Sequence, residues 1–142
     1  MPLMARFSIG IAAIWWGSLS TIGFLVVPLL FAHLPTPAMA GGMAAKLFTA
    51  QTWLSVVCAL LLLVLERNRA ESQYRQAWPA IIFIVFGLLL ALLAEFAVAP
   101  KIVARDNLKL WHSVGSAMYL LQWLCAGVTL WKSQSQAVKS ES

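Results

Sequence analysis

The chain reads as an all-α integral membrane protein, a four-helix bundle, and three observations predict it. Four apolar stretches, at 7–34, 47–65, 78–99 and 111–131, each hold about the 20 residues an α-helix needs to cross a ~30 Å hydrocarbon layer. The composition is 61% hydrophobic and 11% charged, against about 45–50% and about 25% in soluble domains. Mean hydropathy is +0.83, and a chain of 142 residues has no interior large enough to bury so much apolar surface. One four-helix unit over 1–132 accounts for nearly all of it and leaves no room for a separate soluble domain.

The first helix, 7–34, follows Arg6, with Pro28 near its end, where neighbouring helices can satisfy the freed carbonyl. Ala38-Met39-Ala40 imitates a signal-peptide cleavage site, but the preceding run far exceeds the ~7–15 apolar residues of a signal h-region, so the helix is expected to be retained. His33-Leu34-Pro35-Thr36-Pro37 is the turn, and Thr36 is placed to cap a second helix with Pro37 at its first position. That helix, 37–66, is longer than the bilayer requires, and its small, weakly apolar start at 38–45 should project or lie at the interface. The segment 66–76 reads as a hydrated connection. Trp78-Pro79 opens a third helix, 78–99, with an aromatic anchor and a proline suited to a first turn. A short loop leads to a fourth helix, 110–131, closed by Trp131-Lys132, and the Ser/Gln-rich tail 133–142 is expected to be disordered.

Charge sets the orientation. With both termini in the cytoplasm the inner ends carry Arg6, Arg67, Arg69, Arg75, Lys132 and Lys139, against Lys46, Lys101, Arg105 and Lys109 outside, and the positive-inside rule favours that arrangement. A net charge of +5 spread over helix ends suits phospholipid, and no basic run interleaved with aromatics exists to track nucleic acid. Where a cell has two membranes, a helical rather than β-barrel protein points to the inner one. Cys58 and Cys125 lie mid-helix and read as apolar filler. There is also an internal echo: Phe24 to Pro28 to Ala32 aligns with Phe96 to Pro100 to Ala104, and Lys46-Leu47-Phe48 with Lys109-Leu110-Trp111. Helices one and two would then form a hairpin repeated, in parallel orientation, by helices three and four.

Three ionisable side chains, His33, Glu95 and His112, are expected at the outer leaflet, with Lys46 and Gln51 at a matching level. An acid just inside hydrocarbon must be paired, protonated or hydrated, which makes Glu95 the most informative polar residue. Its structural reading is an interfacial carboxylate partnered by Lys46, Lys101 or His112. Its chemical reading is a metal or haem site with the two histidines, since imidazole and carboxylate can ligate zinc, copper or iron. Neither HxxxH nor HxxE spacing supports that site within one helix. Ser18, Ser20, Ser55, Ser113 and Ser116 have no GxSxG turn, and Gly41-Gly42 is not followed by GK[ST], so no enzyme is implied and no cofactor is expected. Ala13/Gly17/Thr21, Ser55/Ala59 and Ser113/Ala117 are small-xxx-small steps that let helices approach closely, within the bundle or in a homo-oligomer.

The run Trp16-Gly17, Gly23-Phe24, Val27 to Phe31 and Leu34, then Ala40-Gly41 and Lys46-Leu47-Phe48, resembles the first hairpin of a bacterial family, the domain of unknown function numbered 4149. That family is related to eukaryotic transmembrane protein 205. Pro100-Lys101-Ile102 and Leu110 to Val114 resemble its later half, although Ser113 directly follows His112 and the loop is short. The resemblance covers about 5–131 and implies a small four-helix membrane protein without an assigned activity. The positions it carries over are Pro28, Phe31, Gly41, Phe48, Pro100 and His112. The first helix is also similar to that of four-helix copper-resistance-D-like and membrane protoporphyrinogen-oxidase-like proteins, which implies a copper or haem alternative. That type has a histidine near the start of the first helix, where this chain has Arg6-Phe7-Ser8 and none before His33. The leading expectation is therefore a non-enzymatic accessory or small-solute-handling protein. A metal or haem site and an oligomeric transporter or channel subunit are the alternatives.

Overall fold

A computed structural model describes residues 3–70 and 74–139. Four helices follow one another. Helix α1 spans Leu3–His33, with a π-helical turn at Ile22–Val26. Helix α2 spans Pro37–Ala70. Helix α3 runs over 74–103 as Tyr74–Leu93, a second π-turn at Ala94–Val98, and Ala99–Val103. Helix α4 spans Leu108–Lys139. Each contains a segment long and apolar enough to cross a membrane. The helices form a ring in which α1 and α3 each pack against both α2 and α4. With four helices in sequence, the described ends Leu3 and Lys139 lie on one side of the bundle.

The core forms where all four helices meet. Ala12, Trp15 and Leu19 from α1, Cys58, Ala59 and Leu62 from α2, Ile84 from α3 and Ala126 from α4 make one buried cluster. Trp15 is its largest member and needs a hollow opposite. Gly87 provides it: a Cβ there would stand 2.8 Å from Trp15 Cη2. Cys58 and Cys125 are buried free thiols. Outside this core the large apolar side chains, among them Phe24, Trp53, Phe86 and Phe96, face outward. Only a hydrocarbon solvent makes that arrangement favourable, because in water each such side chain would forgo about 1.5–3 kcal/mol of burial.

Thr36 caps α2 as its position predicts, with Met39 N–H donating to Thr36 Oγ1 at 3.2 Å. The prolines show how the chain absorbs a lost donor. In an α-helix the ring of Pro28 would clash with the Phe24 carbonyl, and that of Pro100 with the Phe96 carbonyl. In both places the backbone widens to i→i−5 bonding just before the proline. Val27 N–H donates to Ile22 O, and Ala99 N–H to Ala94 O. The two π-turns and their two prolines share one offset of 72 residues, so the sequence echo is matched by backbone geometry.

Several helices are longer than the sequence pattern predicts. Helix α2 continues to Ala70 and α3 begins at Tyr74, so most of the expected hydrated connection is helical; residues 71–73 lie outside those described. Glu66, expected in that connection, is buried. Pro79 consequently falls inside α3, rather than at its first position. The third helix passes Pro100 because the π-turn accommodates the ring. The tail expected to be disordered continues α4 to Lys139; residues 140–142 lie outside those described. Ser133 and Ala137, one turn apart, are buried against the bundle, and Ser133 Oγ donates to Thr129 O at 3.0 Å. Packing of one face outweighs the low hydrophobicity of that segment.

Helix α3 ends in a Schellman arrangement. Asp106 N–H donates to Lys101 O and Arg105 N–H to Ile102 O. Arg105, at φ 55°, takes the left-handed position where glycine is usual, and Asn107 follows at φ 40°. Lys101 and Asp106 form an exposed ion pair at 3.4 Å.

Candidate functional site

Two groups of polar side chains within the spans stand out, besides the buried Ser8, Glu66, Thr129 and Ser133. The first lies within the bundle, where α1, α2 and α4 meet. Gln51 Nε2 donates to Ser18 Oγ at 3.0 Å and reaches Ser55 Oγ at 3.4 Å, while Gln122 Nε2 donates to the same Ser55 Oγ at 2.9 Å. Three helices are thus linked through two hydroxyls, Ser18 joining α1 to α2 and Ser55 joining α2 to α4. Gln51 Oε1, fully enclosed, has no hydrogen-bond partner among the described residues. Nearby, Trp123 Nε1 donates to Ser20 Oγ at 2.8 Å, and Ser20 in turn donates to Trp16 O. Tyr119 OH donates to Leu19 O at 2.7 Å.

The second lies at the end of the bundle that carries the π-turns. Glu95, half-buried, is the second residue of its π-turn. Its Oε1 accepts the Thr49 hydroxyl at 2.8 Å. The partner is therefore a neutral side chain of α2, and none of Lys46, Lys101 or His112 comes within salt-bridge distance of it. The repeat makes the position more telling. The second residue of the first π-turn is Gly23, and the ring of Tyr119 lies directly on it: a Cβ at Gly23 would stand 2.5 Å from Tyr119 Cε1. Phe48 holds that ring edge-on at 5.3 Å. Corresponding points in the two hairpins thus differ: one is sealed by an aromatic ring, the other carries a carboxylate.

The histidines do not join Glu95. His33 is exposed, with its Nδ1 3.0 Å from Leu29 O one turn back. His112 is exposed near the start of α4. Among the described residues no three His, Cys, Asp or Glu side chains stand together in a metal-binding group. Of the other positions singled out in the sequence, Pro28 and Pro100 set the π-turns and Phe48 braces Tyr119. Phe31 faces outward, and Gly41 has open space where a side chain would begin. The small-residue steps divide. Ser55 and Ala59 are buried inside the bundle, whereas Ala13 and Thr21, and Ser113 and Ala117, are exposed, and Gly17 has no neighbour within 4 Å of a Cβ position. Sequence reasoning missed Gln122, although a glutamine in the middle of an apolar span is itself a signal for an interhelical hydrogen bond.

A family model for a domain of unknown function, DUF4149, matches residues 10–109, a stretch holding both π-turns, Gly23, Thr49 and Glu95. The chain belongs to the DUF4149 family. It is thereby a small multi-pass membrane protein of a family defined without a function. No curated protein and no solved structure matches it significantly.

Proposed function

We propose that this DUF4149 protein is a non-enzymatic protein of the bacterial inner membrane, both termini cytoplasmic, that acts by associating with other membrane components through its outward faces. The observation that carries this reading is the use made of polar groups in the interior. Gln51, Ser18, Ser55 and Gln122 are spent on holding helices together, and the interior between them is filled by Trp15, Leu19 and Leu62. Chemistry or passage of a solute would require such groups to converge on open space. Two small-residue steps, Ala13/Gly17/Thr21 and Ser113/Ala117, face outward, where close helix approach by a second copy or another membrane protein is sterically open.

Photocross-linking residues placed at Gly17 and Ala117 in native membranes test this. A discrete protein adduct is expected at one of the two, and its mass separates a second copy from a different partner. Adducts with lipid alone at both positions would overturn the proposal. A reporter fused after Ser142 tests the orientation, which a periplasmic readout would reverse.

A second reading, small-solute handling at Glu95, is favoured by the half-buried carboxylate meeting only the Thr49 hydroxyl. Flux into proteoliposomes that is lost in Glu95→Gln would favour it. Metal or haem binding by His33, Glu95 and His112 rests on ligand chemistry alone. Stoichiometric metal or a Soret band in the purified protein would favour it instead.

A further inference from the structure

The outer face of the seam between α1 and α4 holds a groove of about 400 Å³, formed by Trp16, Trp123, Gly127, Val128, Trp131 and Lys132 among others. Its walls are stiff. Trp16 and Trp123 pack at 5.6 Å between ring centroids, and Phe24 meets Trp123 edge-on at 5.5 Å. Gly127 forms the floor: a Cβ there would come within 2.9 Å of Trp16 Nε1, so the indole lies on bare backbone. Trp123 gives its N–H to Ser20, whereas no described residue accepts the N–H of Trp16.

Trp131 also lines a second groove, of about 350 Å³, with Gln134, Ser135 and Val138. Towards the chain terminus the surface therefore passes from aromatic and aliphatic, through one ammonium, to an amide and a hydroxyl. Lys132 Nζ is steadied 5.9 Å over the Phe83 ring. Gly127 and Lys132 are five residues apart, a rise of about 7.5 Å. An indole donor lies one step deeper than a cation, and polar groups lie one step shallower. That is the order of ester, phosphate and headgroup in a glycerophospholipid. Aromatic and basic residues are usual at the ends of membrane helices; what this face adds is a groove that sets one ammonium beside an unpaired indole N–H, and a zwitterionic lipid would bring its own cation to Lys132.

We propose that these two grooves form a binding site for one anionic phospholipid, drawn from the leaflet that adjoins the chain termini. An acyl chain lies along Trp123 and Leu124, an ester carbonyl accepts from Trp16, the phosphate meets Lys132, and the headgroup covers Gln134 and Ser135. The site is separate from the Glu95 region and from the outward small-residue steps, so it stands whether or not the association proposed above is correct.

The test uses the full chain in phosphatidylcholine vesicles containing a trace of acyl-spin-labelled phosphatidylglycerol or phosphatidylcholine, read as the fraction of immobilised label. Wild type should favour phosphatidylglycerol about fivefold, the factor expected from one lysine near the surface. Lys132→Gln should remove most of that preference, and Arg6→Gln, the control for general surface charge, should lower it much less. Gly127→Leu fills the groove and should reduce the immobilised phosphatidylglycerol, with unchanged far-ultraviolet circular dichroism. Equal association of both lipids with wild type, an unchanged ratio in Lys132→Gln, or an equal loss in Arg6→Gln would each overturn the proposal.

Discussion

The contact between Gly23 and Tyr119 permits a worked prediction for Gly23→Ala. The added methyl would lie 2.5 Å from Tyr119 Cε1 and 3.1 Å from Cζ. The ring has little freedom to retreat, because its hydroxyl is tied to Leu19 O at 2.7 Å and Phe48 stands at its edge. Overpacking costs about 1–3 kcal/mol. Losing the tyrosine hydrogen bond adds about 0.5–1.5 kcal/mol. Against these stands up to about 1 kcal/mol gained when alanine replaces glycine in a helix. No glycine here has positive φ, so that gain is available. With the full offset taken, the net expectation is a loss of about 0.5–3.5 kcal/mol. Reversible unfolding in mixed micelles, titrated with sodium dodecyl sulfate and followed by circular dichroism, reads it. In a Tyr119→Leu background the clash is gone, and Gly23→Ala should become neutral or stabilising. The reasoning fails if Gly23→Ala is no less stable than wild type, or if it costs the same in both backgrounds.

Three more outcomes follow from contacts described above. Ser55→Ala removes the acceptor shared by Gln51 and Gln122, and with one interhelical bond lost it should cost about 0.6–2 kcal/mol in the same titration. Arg105→Gly relieves a left-handed backbone at the end of α3 and should raise stability by about 0.5–1 kcal/mol, net of glycine's larger unfolded-state entropy. Glu95→Leu should leave stability unchanged or raised if the carboxylate only packs. Loss of a cellular phenotype at normal protein level would contradict the packing-only account of Glu95.

The number and order of helices were legible because an apolar run of bilayer length has few other fates. Thr36-Pro37 marked the start of α2 for the same local reason that it caps it. Helix ends were harder. Glu66 sits beside Arg67 and Arg69, so its composition reads as loop, yet one more turn of α2 carries it to a buried position. Ser133 and Ala137 are spaced to continue the buried face of α4 through a segment whose overall polarity hides that spacing. Pro28 and Pro100 announced a lost hydrogen bond, but not that a widened turn would absorb it. For the site, sequence placed His33, Glu95 and His112 at one height. Height along an axis says nothing about angle around it; both histidines are exposed, and among the described residues they form no three-membered metal-binding group with the acid.

The matched pair of widened turns has a corollary in symmetry. Two identical copies of one helical hairpin, arranged about a shared axis, would have identical environments at the positions filled here by Gly23 and Glu95. A single polypeptide carries no such constraint. One position holds a glycine under an aromatic ring while its counterpart holds a carboxylate, an arrangement a symmetric dimer could match only with two acids.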